Sequence, residues 1–228
     1  MRKFLIPTLA IALVMGLVVS GTWAFFSDAE ASSGNTFTPG TLDLKLRRGP
    51  GAWSDGIATA VWSMSNMAPG VSTTSGSIEL TKVGSVPADH LEITVDYSAI
   101  EGLPDGPETP DTVDTSLVPD SFARYLEITS MRYYKDGWYI DGLTGERKHK
   151  VDHHVIEGPY DYWKVEDKND DGIISLYDLK YDPLDNLPFE GVMTLDMSLR
   201  FHESAGNDLQ GDTLVVTVIF TLNEDSSQ

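Results

Sequence analysis

"LEITVDY", residues 91–97, sets Leu91, Ile93, Val95 and Tyr97 on one side of an extended chain and Glu92, Thr94 and Asp96 on the other. Side chains of a strand alternate between two faces, so this stretch reads as a strand with one face buried and one in water. The same period of two recurs along the chain. Leu42, Leu44 and Leu46 alternate with Asp43 and Lys45, and Ile78 and Leu80 form a short run. Leu195, Met197, Leu199 and Phe201 form another, and Leu214, Val216, Val218, Phe220 and Leu222 the longest. Turn formers lie between these runs: Pro69-Gly70, Gly102 to Pro110, Gly206-Asn207 and Gly211-Asp212. Beyond the N-terminal apolar stretch, no segment of helical length carries a 3.6-residue period. The pattern predicts an all-β fold, an antiparallel β-sandwich occupying residues 39–228 as one domain. Residues 101–120 and 141–190 read as insertions of loop and short helix between strands.

The chain has 228 residues, with 16 Lys and Arg against 35 Asp and Glu, a net charge of −19 at pH 7. Such a surface repels nucleic acid and anionic membranes and favours cations. There is no cysteine, so no disulfide holds the domain and a hydrophobic core must do so. A chain of this length supplies enough apolar residues for one core of good size.

The N-terminus has a different character. Arg2 and Lys3 precede an apolar run from Phe4 to about Val19, followed by Ser20, Gly21, Thr22, Trp23 and Ala24. A basic start, an apolar centre and a small-residue exit make residues 1–24 a secretory signal peptide, with cleavage after Ala24. The competing reading is a retained anchor, because Phe4 to Phe26 is long enough to cross a bilayer. Residues 25–38 then combine Phe25, Phe26 and Phe37 with small polar residues. From the residues alone, they suit either a frayed linker or an apolar-anchored segment that docks elsewhere.

"DKNDDGIISLYD", residues 167–178, carries the sharpest chemistry. A calcium ion takes six to eight oxygens, and a twelve-residue EF-hand loop supplies them from positions 1, 3, 5, 7, 9 and 12. These positions hold Asp167, Asn169, Asp171, Ile173 (through its carbonyl), Ser175 and Asp178. Gly172 occupies position 6, where the loop turns sharply and a Cβ would hinder it. Ile174 at position 8 can pin the loop to a core. The last ligand is Asp rather than Glu, a departure shared with dockerin-type loops, which this loop resembles. "SLYDLKY", 175–181, suits the exit helix, stopped before Pro183. Only one loop of this kind is visible, which fits a structural Ca2+ better than a sensor pair. An ordinary acidic turn is the alternative.

"HKVDHH" places His149, Asp152, His153 and His154 close together. His149 and His153, four apart, would share a face of a helix and could bind a transition metal there. No Glu stands between them to serve as a base, so a solvated polar loop is the preferred reading. His90 and His202 fall on expected strands. Tyr133, Tyr134, Trp138 and Tyr139 form an aromatic group that suits a core. The sequence holds no phosphate loop or nucleophile elbow.

"GTWAFFSD" at 21–28, "NTFTPGTLDL" at 35–44, "MAPG" at 67–70 and "GNDLQGDTLVVTVIFTL" at 206–222 together resemble the TasA/camelysin family. The resemblance covers both ends and not residues 100–190. It implies a jelly-roll-like sandwich, a dedicated signal peptidase, and a secreted protein of the extracellular space or cell surface. It also implies a non-enzymatic subunit of biofilm-matrix fibres, whose partner is itself in a head-to-tail homopolymer. Other matrix or cell-surface proteins are further candidate partners. In fibre-forming members, the segment after the cleavage site is donated as a strand to the next subunit. Residues 25–38 match it here, with contact to membrane limited to the signal peptide. Camelysin relatives imply the enzymatic alternative, a metallopeptidase. A calcium-stabilised cell-surface binding module is the third reading.

Overall fold

The computed structural model describes residues 42–55, 69–73, 75–100, 118–206, 209 and 212–224. The expected signal peptide (1–24), donor segment (25–38) and Gly102–Pro110 turn region lie outside the described residues, as does most of 101–120. Ten strands are described: β1 (Asp43–Arg47), β2 (Gly76–Val83), β3 (His90–Ile100), β4 (Leu126–Lys135), β5 (Trp138–Asp141), β6 (Glu146–His149), β7 (Val155–Glu157), β8 (Leu184–Pro188), β9 (Val192–Phe201) and β10 (Thr213–Asn223). Two short helices join them, α1 (Pro119–Ala123) and α2 (Leu176–Tyr181). None of these helices is long and apolar enough to cross a membrane.

Every strand pairing is antiparallel, in a seven-stranded sheet of order β1-β2-β9-β4-β5-β6-β7 and a three-stranded sheet of order β10-β3-β8. The fold is the all-β antiparallel sandwich that the alternation predicts. The reason is visible in the register. Ile78 and Tyr133 both sit opposite Leu195, and Met131 opposite Met197. On the other sheet, Val95 sits opposite Val218 and Ile93 opposite Phe220. Inward rows of neighbouring strands therefore coincide, and Leu80, Leu91, Ile93, Met193 and Leu195 are wholly buried within one core cluster.

Two features were not expected. β4 carries a bulge between Ile128 and Ser130, so its buried residues run Leu126, Ile128, Met131, Tyr133 rather than at a strict period of two. Residues 141–190 are more than an insertion. They supply β6, β7 and β8, and they bury Trp163, Val165, Leu176, Leu179, Leu184 and Leu187 in the common core. Trp163 fixes this segment by donating its Nε1–H to the Asn186 carbonyl at 2.9 Å.

Candidate functional site

The loop 167–178 lies against the first half of β4. The Ile128 N–H donates to the Ile174 carbonyl at 2.7 Å, and Glu127 bridges Ser175. Beside the second half of β4 runs β5, from Lys135↔Trp138 to Arg132↔Asp141. The loop thus occupies the edge position that β5 leaves open. Glu127 is held in turn by Arg200 of β9 through a two-pronged pair, Nε to Oε2 at 2.7 Å and Nη2 to Oε1 at 2.9 Å.

Inside the loop the carboxylates organise the backbone. Asp167 accepts the N–H of Asp171 at 3.2 Å and that of Gly172 at 2.7 Å. Asp171 accepts the Ile173 N–H at 2.8 Å, and Asn169 lies against Asp171 with its Nδ2 2.7 Å from Oδ2. Asp170 and Gly172 take positive φ, 56° and 82°. A Cβ on Gly172 would meet nothing within 4 Å. Conformation rather than crowding therefore accounts for glycine at position 6, which corrects the steric expectation.

Asp178 has a different environment. Its side chain is wholly buried, as is Ser175. Its Oδ1 accepts the Lys168 N–H at 2.8 Å; its Oδ2 accepts the Ser175 N–H at 2.8 Å and hydroxyl at 2.7 Å. Ser175 and Asp178 form the capping box that starts α2, with the carboxylate in the positive first turn of the helix. Asp182 closes the other end of the segment by accepting the Glu166 N–H at 3.0 Å. Asp178 Oδ2 is taken up by two donors, but the carboxylate oxygens of Asp167 and Asp171 each accept one hydrogen bond and retain lone-pair capacity, as a hard cation requires. Ahead of the loop stands a three-residue 3-10 turn, Asp161–Trp163, where an EF-hand has its entering helix.

The second constellation lies at the tip between β6 and β7. His149 is the last residue of β6, not part of a helix, so the helical pairing of His149 with His153 does not form. The His149 N–H donates to the His154 carbonyl at 2.9 Å, and the His153 N–H to the His149 carbonyl at 3.0 Å. The turn brings His149, Asp152 and His154 together instead, with one ligand atom from each all within 4.8 Å of one another. His149 Nδ1 and His154 Nδ1 lie 2.8 and 2.6 Å from the same Asp152 Oδ1. The hydrogen bond from His154, supported by that from His149, holds the Asp152 carboxyl down at about 2. His153, at φ 58°, turns away, and its Nδ1 lies 3.3 Å from the Tyr139 hydroxyl. The signal for this trio was its i, i+3, i+5 spacing around a turn, whereas the only metal pairing read from the sequence was His149 with His153 on a helix face.

Two groups of residues can therefore hold a cation: an oxygen-rich loop and a mixed His/Asp turn. No curated protein matches the chain. Residues 1–111 match the family model described as camelysin metallo-endopeptidase. That segment ends ahead of both groups, so neither is accounted for by the match. It covers the N-terminal motifs quoted above and the strands β1 to β3, and it is consistent with the resemblance of those motifs to the TasA/camelysin family.

Proposed function

We propose that this protein is a secreted structural subunit that polymerises head to tail into extracellular, biofilm-matrix-type fibres, each copy donating residues 25–38 as a strand to the next. The observation that carries this reading is the edge of β10. Among the described residues, β10 pairs only with β3. Its inward side chains Leu214, Val216, Val218, Phe220 and Leu222 are only partly buried, whereas Leu91, Ile93, Val95 and Tyr97 opposite them on β3 are buried. On the outer face, Val215 and Ile219 are exposed. An unpaired edge with a half-covered apolar row accepts an extended segment through main-chain hydrogen bonds and apolar anchors. Phe26 and Phe37 would serve as those anchors, each contributing about 1.5–3 kcal/mol on burial. A heterologous contact of this kind propagates as a filament.

In this reading Ca2+ is structural, held by Asp167, Asn169, Asp171, the Ile173 carbonyl, Ser175 and Asp178. It would clamp the loop against β4.

The deciding experiment removes residues 25–38. The variant should remain a folded, soluble monomer that forms no fibres by electron microscopy, and a peptide of that sequence should bind it and raise its melting temperature. Normal fibres from the deletion variant would sink strand donation.

The family description and the His149/Asp152/His154 group favour one second reading, a metallopeptidase. It predicts peptide cleavage that a chelator abolishes. The sequence has no His-Glu-x-x-His segment to support it.

A further inference from the structure

We propose that the β6–β7 tip is a site for a divalent transition metal of the Zn2+ class, bound by His149 Nδ1, His154 Nδ1 and an Asp152 carboxylate oxygen. The site is separate from the calcium loop and independent of the fibre reading.

The argument begins with donor chemistry. Two imidazole nitrogens and one carboxylate oxygen suit Zn2+, Cu2+, Ni2+ or Co2+ and are a poor match for Ca2+, which prefers an all-oxygen shell. Geometry comes next. Both imidazoles aim the same atom, Nδ1, at one carboxylate oxygen, at 2.8 and 2.6 Å. Their rings lie nearly parallel, with centroids 5.1 Å apart and planes 26° from each other. Around a tetrahedral zinc at about 2.0–2.1 Å per bond, neighbouring ligand atoms stand roughly 3.3 Å apart. The two imidazole–carboxylate contacts need to open by about 0.5 and 0.7 Å for an ion to replace the shared protons. Both rings then carry their proton on Nε2, and each Nδ1 offers its lone pair.

The turn is prepared for this role by its backbone. The His149–His154 and His153–His149 main-chain hydrogen bonds fix the two ligating residues across the turn. The competing groups are held elsewhere. The Lys150 ammonium sits 4.2 Å from the centre of the Tyr134 ring, and the His153 ring stands edge-on to Tyr139. Side-chain exposures of 38% for His149 and 60% for Asp152 and His154 leave the remaining coordination positions to water. A site with three protein ligands and an open position can take its last ligand from solvent or from another molecule.

The test uses the purified protein, stripped with chelator and dialysed. Zinc is titrated calorimetrically, and cobalt by visible absorption, whose intensity reports coordination geometry. One equivalent of each should bind, and excess calcium should not displace it. His149→Ala with His154→Ala should weaken zinc binding by more than about tenfold and remove the cobalt band. His153→Ala should leave both unchanged. Circular dichroism and melting curves confirm that the variants are folded. Zinc binding of unchanged affinity and stoichiometry in the double variant would overturn the site, as would no cobalt band in the parent protein.

Discussion

Asp167 and Asp178 stand at the two ends of the same twelve-residue loop, yet they do different work. Asp167 is a loop-lining carboxylate that bonds exposed backbone amides of Asp171 and Gly172. Asp178 is buried, accepts three hydrogen bonds, and starts α2. Removing it strands the buried Ser175 N–H and hydroxyl without an acceptor and frees the part-buried Lys168 N–H. Asp178→Ala should therefore cost about 3 kcal/mol with or without calcium, lowering the melting temperature by roughly 6–12 °C. Asp167→Ala with Asp171→Ala should cost far less in chelator. That pair should instead abolish the rise in melting temperature that calcium gives the parent, since an ion that binds only the folded state stabilises it by mass action. Thermal melts of the three proteins across a calcium series separate the two roles, and an unchanged calcium response in the double variant would rule out the site. That these residues belong to one twelve-residue loop was legible from spacing alone. Their division of labour was not, although Ser175-x-x-Asp178 at a helix start was already a capping signal in the sequence. The His cluster was legible as a polar loop, but not which two rings meet, because that is decided by one positive-φ residue, His153.

At the scale of elements, strict alternation found five strands and missed five. β4 escaped because its bulge inserts one residue between two correctly alternating halves, Leu126/Ile128 and Met131/Tyr133. β6 escaped because "ERKH" has no apolar residue at all. Its strand character comes from cross-strand pairing and from charged groups that find partners. Arg147 lies over the Trp138 ring at 4.0 Å, and Lys148 bonds Asp141 at 3.2 Å. β8 is short and pairs with β3 through a register shift. The bulge gives a direct test. Opposite it, β9 runs regularly through Phe201, Leu199, Met197 and Leu195. Deleting Thr129 removes the extra residue while keeping Leu126, Ile128, Met131 and Tyr133 on the inner face. The deletion variant should fold, with circular dichroism and a cooperative melt like the parent's. Loss of the cooperative melt would mean that the bulge is required rather than tolerated. Deleting Arg132 instead should throw Tyr133 to the outside and abolish folding.

The whole molecule interleaves its ends. β2 pairs with β9, Gly76 facing Met197 and Thr81 facing Val192, and β3 pairs along its full length with β10. The segment matched by the camelysin family model therefore contributes β1, β2 and β3, but the second neighbour of β2 and both neighbours of β3 come from beyond residue 180. A fragment ending at Gly191 lacks the strand between β2 and β4 and the longer of the two strands beside β3, and it exposes Leu80, Ile93, Val95 and Tyr133. Such a fragment should be unfolded by circular dichroism and readily cut by protease, despite containing most of the chain. Protection equal to that of the intact protein would contradict the topology. The sequence located the individual strands on which this depends, but nothing local in "VMTLDMSLRF" says that β9 sits between β2 and β4. Long-range pairing is set by which inward rows fit together, and that is a property of the assembled core.

The same interleaving bears on how the chain is made. A ribosome adds residues in order, and pairings separated by more than a hundred positions must wait for the later partner. The seven-stranded sheet cannot be completed before β9, Val192–Phe201, has been synthesised, nor the three-stranded sheet before β10, Thr213–Asn223. Until then the nascent polypeptide has no stable half to lodge in a narrow channel. It stays threadable, and it locks into shape only once β10 is free to pair with β3.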